Sequence, residues 1–216
     1  MVRTIALLIG AAFVAALGFA LFGTVKTAIT DPAPETAEEV YRIHPEDTGL
    51  KSAGLFGTFD RQQVQRGFQV YKEVCSACHS LKFVHFRDLT KIGYSDAQVK
   101  AIAAGWATEQ PSINPDTGEP ATRKNVPADP FPSPFANEIA ARAANNNALP
   151  PDLSLIAKAR ENGPNYVHAL LLGYRDQPAD LVKEFPGSVT PKGLHYNPVF
   201  PNLNIAMPPP LTQDGQ

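Results

Sequence analysis

The sequence predicts a mainly α-helical, loop-rich domain preceded by a separate apolar helix. Of its 216 residues, 21 are proline, roughly twice the average usage of about 5%. Because proline lacks an N–H and fixes φ, this content disfavours an extensive sheet or a continuous helical bundle. A formal net charge of −2 argues against a basic nucleic-acid-binding protein. Two cysteines cannot form a disulfide framework, so another element must organise the chain.

The amino-terminal segment, residues 1–26, is apolar. Between Arg3 and Lys26 the chain carries no charge from Thr4 to Val25, which is long enough to cross a bilayer. This pattern predicts either a cleaved secretory signal or a retained signal-anchor, with the rest of the chain exported. The run has no polar face, which disfavours a buried core helix.

Residues 27–53 are predicted to form an acidic tether. Six acidic side chains lie between Thr30 and Leu50, against the single cation of Arg42. A charge run of this kind is typical of a solvated segment, and a docking surface for a basic partner is the alternative.

Cys75, Cys78 and His79 form the sequence C-S-A-C-H, the attachment signature of c-type haem. Two thiols one helical turn apart can each add to one haem vinyl group, while the next imidazole ligates the iron. The motif therefore predicts one covalently attached haem c.

A redox-active thiol pair and a zinc site are the alternatives to haem. A thioredoxin-type pair follows a strand, whereas a helix capped by Asp60 is predicted here. Its apolar stripe runs through Val64, Phe68 and Tyr71 and ends at Cys75. Zinc requires two further ligands, and the nearest histidine is His85. Within the helix, Gly67 predicts the close approach of another backbone.

Beyond the motif, short helices alternate with two proline-rich loops. Ser95 is expected to cap a helix that places Val99, Ile102, Ala103 and Trp106 on one face. The remaining elements, in order, are an irregular loop over 111–134, a helix from Pro134 to about Ala144, a break over 145–151, a run capped by Asp152 and reaching Ala159, a helix over 164–173, and a second proline-rich stretch over 186–210.

A six-coordinate haem needs a second axial ligand, and Met207 is the favoured candidate. Three prolines follow it directly and stiffen the segment, which lowers the entropic cost of holding a flexible thioether in place. His168 is expected to be a packed residue of an apolar helix, and His85 lies too close to His79 in sequence. The full candidate set is His44, His85, His168, His195 and Met207.

Four segments together resemble the cytochrome c1 family, the haem subunits of ubiquinol:cytochrome c oxidoreductase (respiratory complex III). They occupy residues 66–80, 141–160, 166–174 and 196–210, occur in family order, and cover most of 54–211. The asparagine-rich element N-N-N-A-L-P-P-D-L-S is not a general cytochrome feature.

The resemblance implies a cytochrome c-type haem domain with long proline-rich loops over residues 54–216. Its implied site comprises covalent haem at Cys75 and Cys78, iron ligation by His79 and Met207, a haem-edge loop from Asn145 to Pro151, Arg160 on a haem propionate, and Tyr166 in the pocket lining.

The resemblance also implies an electron carrier that is not an enzyme on its own. It would accept one electron from a Rieske iron–sulfur subunit beside cytochrome b and reduce soluble cytochrome c. The expected location is the membrane, with the haem domain on the periplasmic face of a bacterial inner membrane or its intermembrane-space equivalent. An independent tethered or soluble cytochrome c shuttle, a haem catalyst or sensor with an open distal site, and a disulfide oxidoreductase are the alternatives.

The chain also departs from the family. Members usually continue past the methionine into another haem-domain helix and a carboxy-terminal anchor, whereas nine residues follow Met207. The domain is therefore expected to be truncated, without the helix that would cross at Gly67.

Overall fold

The computed structural model describes residues 1–212 and divides into two units, Met1–Val40 and a second unit that begins at Tyr41. The first unit holds α1 (Val2–Thr30), and α2 spans Ala37–Tyr41. At about 1.5 Å per residue, α1 exceeds the roughly 30 Å hydrocarbon core of a bilayer. Its length and composition suit a membrane span, a property shared by amino-terminal signal sequences.

Three threonines near the end of α1 hydrogen-bond their hydroxyls to the backbone of the same helix. The hydroxyls of Thr24, Thr27 and Thr30 donate to the carbonyls four residues earlier, at 2.9–3.1 Å. Such bonds satisfy a hydroxyl without a partner outside the helix, which suits an apolar surrounding.

The segment predicted as an acidic tether over 27–53 begins within α1 and ends within the second unit. Helix α1 continues to Thr30, and the chain belongs to the second unit from Tyr41 onward. The Ile43 N–H donates to the Pro198 carbonyl at 2.8 Å, and the Thr48 hydroxyl donates to the Asn165 side chain at 2.6 Å. Ile43 and Thr48 are therefore hydrogen-bonded to distant residues of the same unit.

The helices of the second unit differ in how they begin, since three have a side-chain cap at their first turn and three have none. They are α3 (Arg61–Glu73), α4 (Asp96–Ala104), α5 (Glu138–Ala144), α6 (Ile156–Ala159), α7 (Gly163–Leu172) and α8 (Ala179–Glu184), with 3₁₀ turns at Cys75–Ala77, Phe86–Ile92 and Pro186–Ser188. The Asp60 side chain accepts from the Gln62 and Gln63 N–H groups in the first turn of α3. Ser95 forms a capping box with Gln98 on α4. Helix α5 begins at Glu138 rather than Pro134 because Asn137 caps it. Helix α8 was not predicted.

Within residues 1–212 the strands form three small antiparallel pairs. They are β1 (Leu81–His85) with β4 (Pro130–Phe131), β2 (Gln110–Ile113) with β3 (Pro120–Arg123), and β5 (His195–Tyr196) with β6 (Asn204–Ile205). The prediction of a wholly irregular loop over 111–134 is wrong, because β2 and β3 form a hairpin inside it. Each strand of a two-stranded ribbon keeps one free edge, where a proline removes no ladder bond.

An aromatic core supports the end of α3. Phe86, Trp106 and Phe131 are buried with Leu89, Val99 and Ala103, and the Phe86 and Phe131 ring centroids lie 4.2 Å apart. Phe68 and Tyr71 of α3 pack against this cluster. The apolar stripe predicted for α3 therefore attaches the helix to the core just before the cysteines.

Two expectations about single residues differ from the structure. His168 was expected to be packed but is exposed. The buried positions of α7 are Gly163 and Tyr166, and His168, two residues after Tyr166, lies about 200° further round the helix. A Cβ on Gly67 would meet no heavy atom within 4 Å. The predicted close approach at Gly67 is thus not made by the described residues.

Candidate functional site

Cys75 and Cys78 lie on a single 3₁₀ turn that follows α3. The Cys75 carbonyl accepts from the Cys78 N–H at 3.1 Å and from the His79 N–H at 2.8 Å, so one turn of backbone holds all three residues. Both thiols are half-buried and free of any disulfide. Burial above all raises the pKa of the Cys75 thiol, which is therefore protonated at neutral pH.

The His79 imidazole is held by a carbonyl from a distant loop. Its Nδ1 lies 2.8 Å from the Pro151 carbonyl oxygen. Because a carbonyl only accepts, Nδ1 carries the proton and Nε2 keeps its lone pair for a metal. A hydrogen bond of this kind fixes both the tautomer and the orientation of a metal-ligating histidine.

Tyr71 anchors the backbone of the same histidine. Its hydroxyl donates to the His79 carbonyl at 3.0 Å, while its ring stacks on Trp106 with centroids 6.3 Å apart. Burial raises the pKa of Tyr71 well above its usual range, so the hydroxyl remains a donor. The aromatic core thereby positions the histidine as well as α3.

The loop from Asn145 to Pro151 depends on left-handed asparagines. Asn146 and Asn147 have φ values of 50° and 62°, a region that asparagine tolerates better than other non-glycine residues. The loop is tied back to α5 by the Arg142 guanidinium, which donates to the Asn147 carbonyl at 3.1 Å. The Asn146 side chain donates to the Gly193 carbonyl at 3.1 Å, just before β5.

Asp152 does not cap a helix, contrary to the prediction. Helix α6 begins at Ile156, and the Asp152 carboxylate instead accepts from the Ser80 hydroxyl at 2.7 Å and the Lys82 N–H at 2.9 Å. It also accepts from the Ser154 N–H at 3.0 Å. Burial opposes its ionisation, but the hydrogen bonds outweigh burial and hold the pKa of Asp152 below its ordinary value.

Met207 follows β6 and is half-buried. Its carbonyl accepts from the Tyr174 hydroxyl at 3.0 Å. Burial raises the pKa of Tyr174, with a smaller contribution from Tyr166, so this hydroxyl is also a donor at neutral pH. The backbone at Met207 is thus tied to the residues that follow α7.

Arg160 and Tyr166 lie on either side of the junction between α6 and α7. Arg160 is exposed, and its guanidinium donates only to the Ala159 carbonyl at 3.2 Å; among residues 1–212 it forms no ion pair. It can therefore meet an anionic group from outside the protein. Tyr166 is buried on α7, with 7% of its surface exposed.

This donor set fits haem c. It offers two unpaired thiols on one turn, an imidazole whose Nε2 is available, and a half-buried thioether. Residues 1–212 contain no cluster of three or more His, Cys, Asp or Glu side chains that could hold a metal ion, so the zinc alternative finds no support.

The structure connects parts of the predicted site through hydrogen bonds. The motif contacts Pro151, and the loop that carries Pro151 contacts the segment leading to Met207. No hydrogen bond in the described part of the chain joins Met207 or Arg160 to the motif directly. A cavity of about 690 Å³ lies beside Tyr174 and His195. Of the residues considered as haem ligands, His195 lines this cavity and Met207 does not.

Sequence reasoning missed several supporting residues. The hydroxyls of Tyr71 and Tyr174 and the buried amide of Asn197 were not identified as site features. Tyr71 lay on the predicted apolar stripe, and a hydroxyl there is the signal that a polar partner must exist.

Comparison with known proteins supports the same family. The sequence matches the Cytochrome C1 family over residues 50–216. It is 44% identical over 191 residues to cytochrome c1 of Rhodospirillum rubrum, covering 84% of this chain and 69% of the relative. It is 45% identical over 199 residues to a mitochondrial cytochrome c1 heme protein of Arabidopsis thaliana, covering 92% and 59%. It is also 45% identical over 172 residues to the mitochondrial cytochrome b-c1 complex catalytic subunit of Candida albicans, covering 80% and 57%.

Proposed function

Because the chain belongs to the cytochrome c1 family, we propose that it is the haem-bearing electron-transfer subunit of a quinol-oxidising respiratory complex. It spans 57–69% of the length of the three relatives above. The activity of the whole protein and its partners are part of this proposal.

The hydrogen bond between His79 Nδ1 and the Pro151 carbonyl is the observation that carries the proposal. It leaves Nε2 as the metal-binding nitrogen directly after two free thiols. A redox-active thiol pair has no use for a histidine oriented in this way, whereas a proximal haem ligand requires it. The family match independently supports a protein that carries haem c.

We assign each predicted site residue a role in holding haem c. Cys75 and Cys78 would hold the haem through two thioethers, and His79 and Met207 would ligate its iron. When bound, the haem supplies one-electron exchange between the ferrous and ferric states. The loop from Asn145 to Pro151 would lie along the haem edge.

Two further residues complete the proposed pocket. The exposed guanidinium of Arg160 pairs with a propionate, for which its planar fork is suited. Tyr166 contributes a buried wall from α7. A histidine and methionine ligand pair in a largely buried site raises the reduction potential, which suits a late step in electron transport.

The proposed partners follow from the family. The name of the Candida albicans relative places that protein in a cytochrome b-c1 complex. We extend this to the present chain, with a Rieske iron–sulfur subunit as donor beside cytochrome b and a soluble cytochrome c as acceptor. Helix α1 anchors the protein in the membrane, and the haem domain lies on the periplasmic or intermembrane-space side.

Expression with a c-type haem maturation system tests the haem assignment. The denatured protein should retain haem through acid–acetone extraction, and Cys75→Ala/Cys78→Ala should not. Met207→Leu preserves volume but cannot ligate iron, so the thioether-to-iron charge-transfer band should vanish, whereas exposed His168→Ala should retain it. Extractable haem overturns covalent attachment, and a band that persists in Met207→Leu overturns the distal ligand.

Two further measurements test the function. Purification in mild detergent should yield the chain together with quinol-oxidising subunits, and a chain that runs alone would indicate an independent shuttle. Rapid carbon monoxide binding to the untreated ferrous protein would indicate an open distal site and a catalytic or sensing haem protein.

A further inference from the structure

The segment from Pro151 to Ser154 is hydrogen-bonded to residues 80–83, which directly follow the haem motif. The Leu153 N–H donates to the Ser80 carbonyl at 2.9 Å, and the Phe83 N–H donates to the Ser154 hydroxyl at 3.1 Å. These bonds run between positions about seventy residues apart in sequence. Together they form an irregular ladder whose first rung is the bond from His79 to Pro151.

The Asp152 carboxylate is the centre of this ladder. One oxygen accepts from the Ser80 hydroxyl and the Lys82 N–H, and the other accepts from the Ser154 N–H. The side chain thus joins the two segments and also shapes its own turn. No hydrogen bond connects it to the imidazole of His79 within residues 1–212.

Pro151 itself has few means of fixing its carbonyl. It has no N–H to donate, its side chain is exposed, and the loop before it contains the left-handed Asn146 and Asn147. The position of the Pro151 carbonyl therefore depends on how residues 152–154 are held, and the Asp152 carboxylate accepts two of the four hydrogen bonds that join them to residues 80–83.

We propose that Asp152 is a positioning residue for the proximal histidine, fixing the Pro151 carbonyl against Nδ1 of His79 and thereby setting the donor strength of Nε2. This inference rests on the proposed haem function. A hydrogen bond from the far nitrogen makes an imidazole a stronger metal donor and favours the ferric iron. Loosening the Pro151 carbonyl should therefore raise the reduction potential.

The experiment compares haem-loaded full-chain protein in detergent, as wild type, Asp152→Ala, Asp152→Asn and Asp88→Ala. Asp88 is a matched control, because its carboxylate also accepts a backbone N–H and has a lowered pKa but does not touch residues 151–154. The two readouts are the midpoint potential and the hydrogen-exchange rate of the His79 Nδ1–H in the ferrous protein by NMR.

In Asp152→Ala the exchange of the Nδ1–H should accelerate by about tenfold or more, as expected when a charge-assisted anchor is lost, and the potential should rise. Asp152→Asn keeps an acceptor and should show smaller changes in both. Asp88→Ala should leave both at wild-type values. Ser80→Ala, which retains the carboxylate and removes one of its donors, should also accelerate exchange and gives the same test if Asp152→Ala loads little haem.

Exchange at the wild-type rate in both Asp152→Ala and Ser80→Ala overturns the inference. So does a potential shift of equal size in Asp152→Asn and Asp152→Ala with unchanged exchange, because that result reflects the lost charge alone. The proposed function fails separately, if the wild-type protein carries no covalent haem.

Discussion

Replacing Asn197 should destabilise the second unit more than any other single polar substitution near Met207. The residue has no exposed surface. Its side-chain amide donates to the Leu170 carbonyl at 2.8 Å, and its side-chain oxygen accepts from the Val199 N–H at 3.1 Å. It therefore joins the end of α7 to the turn that leads into β6 and Met207.

The magnitude follows from one backbone group that would lose its partner, the Val199 N–H, and from one lost hydrogen bond at the Leu170 carbonyl, which still accepts from the Gly173 N–H at 3.3 Å. The unpaired Val199 N–H costs about 1–3 kcal/mol and the lost hydrogen bond to the Leu170 carbonyl about 1 kcal/mol, so Asn197→Ala should cost about 2–4 kcal/mol of unfolding free energy. Asn197→Asp should cost more, because it removes the donor to the Leu170 carbonyl and adds a buried charge. Either loss is a large share of the roughly 5–15 kcal/mol typical of a domain.

Guanidinium unfolding of the haem-loaded protein, followed by fluorescence of Trp106, measures the effect. Trp106 is the single tryptophan of the sequence and is buried. Asn202→Ala is the matched control, because Asn202 caps the same turn from an exposed position and should change stability by less than about 0.5 kcal/mol. An Asn197→Ala protein within 0.5 kcal/mol of wild type, on the scale of such surface changes, would refute the reasoning.

Three further substitutions test other contacts. Tyr71→Phe removes the hydroxyl bonded to His79 but keeps the stacked ring, so chemical unfolding should show a loss of about 1 kcal/mol, and a loss above about 3 kcal/mol would mean that the ring has moved. Gly173→Ala places a Cβ 2.6 Å from the side-chain oxygen of Asn197, which is too close for two non-bonded atoms. The substitution should lower the melting temperature, and an unchanged melting temperature would contradict this packing. The hydrogen bond from Arg123 is the main reason that the pKa of Asp129 is lowered in the folded protein. The ion pair therefore stabilises the folded protein fully above the ordinary carboxyl pKa of about 4, and this stabilisation is lost as the pH falls through the lower pKa of the folded state. The stability gap between wild type and Asp129→Asn, measured by urea unfolding, should be full at about pH 6 and close toward about pH 3; a gap independent of pH would contradict the ion pair.

Local signals in the sequence predicted the first part of the site well. Asp60 and Ser95 cap α3 and α4 as expected, and the stripe through Phe68 and Tyr71 packs on the core. Capping and helical periodicity involve residues only a few positions apart, so both partners of each interaction can be recognised within one short stretch of sequence. The family resemblance is confirmed by comparison with known proteins.

The errors have a common physical origin. Asp152 was predicted to cap a helix because an aspartate before an apolar run is a good local cap, but it found stronger partners 70 and 72 residues away. The loop over 111–134 holds a hairpin because ribbon edges tolerate proline, which composition alone does not reveal. His168 was misplaced because most residues of α7 are apolar, so the sequence does not show which side of the helix packs on the core.

The sequence by itself determined the haem motif, the helix that presents it, the apolar amino-terminal segment and the family. Each of these depends on residue types at short, fixed spacing. The tertiary structure alone decided how His79 is oriented, because the carbonyl that fixes its tautomer comes from Pro151, 72 residues further along the chain. Hydrogen bonds between distant segments leave no periodic trace in a sequence, and their partners become known only when the fold brings them together.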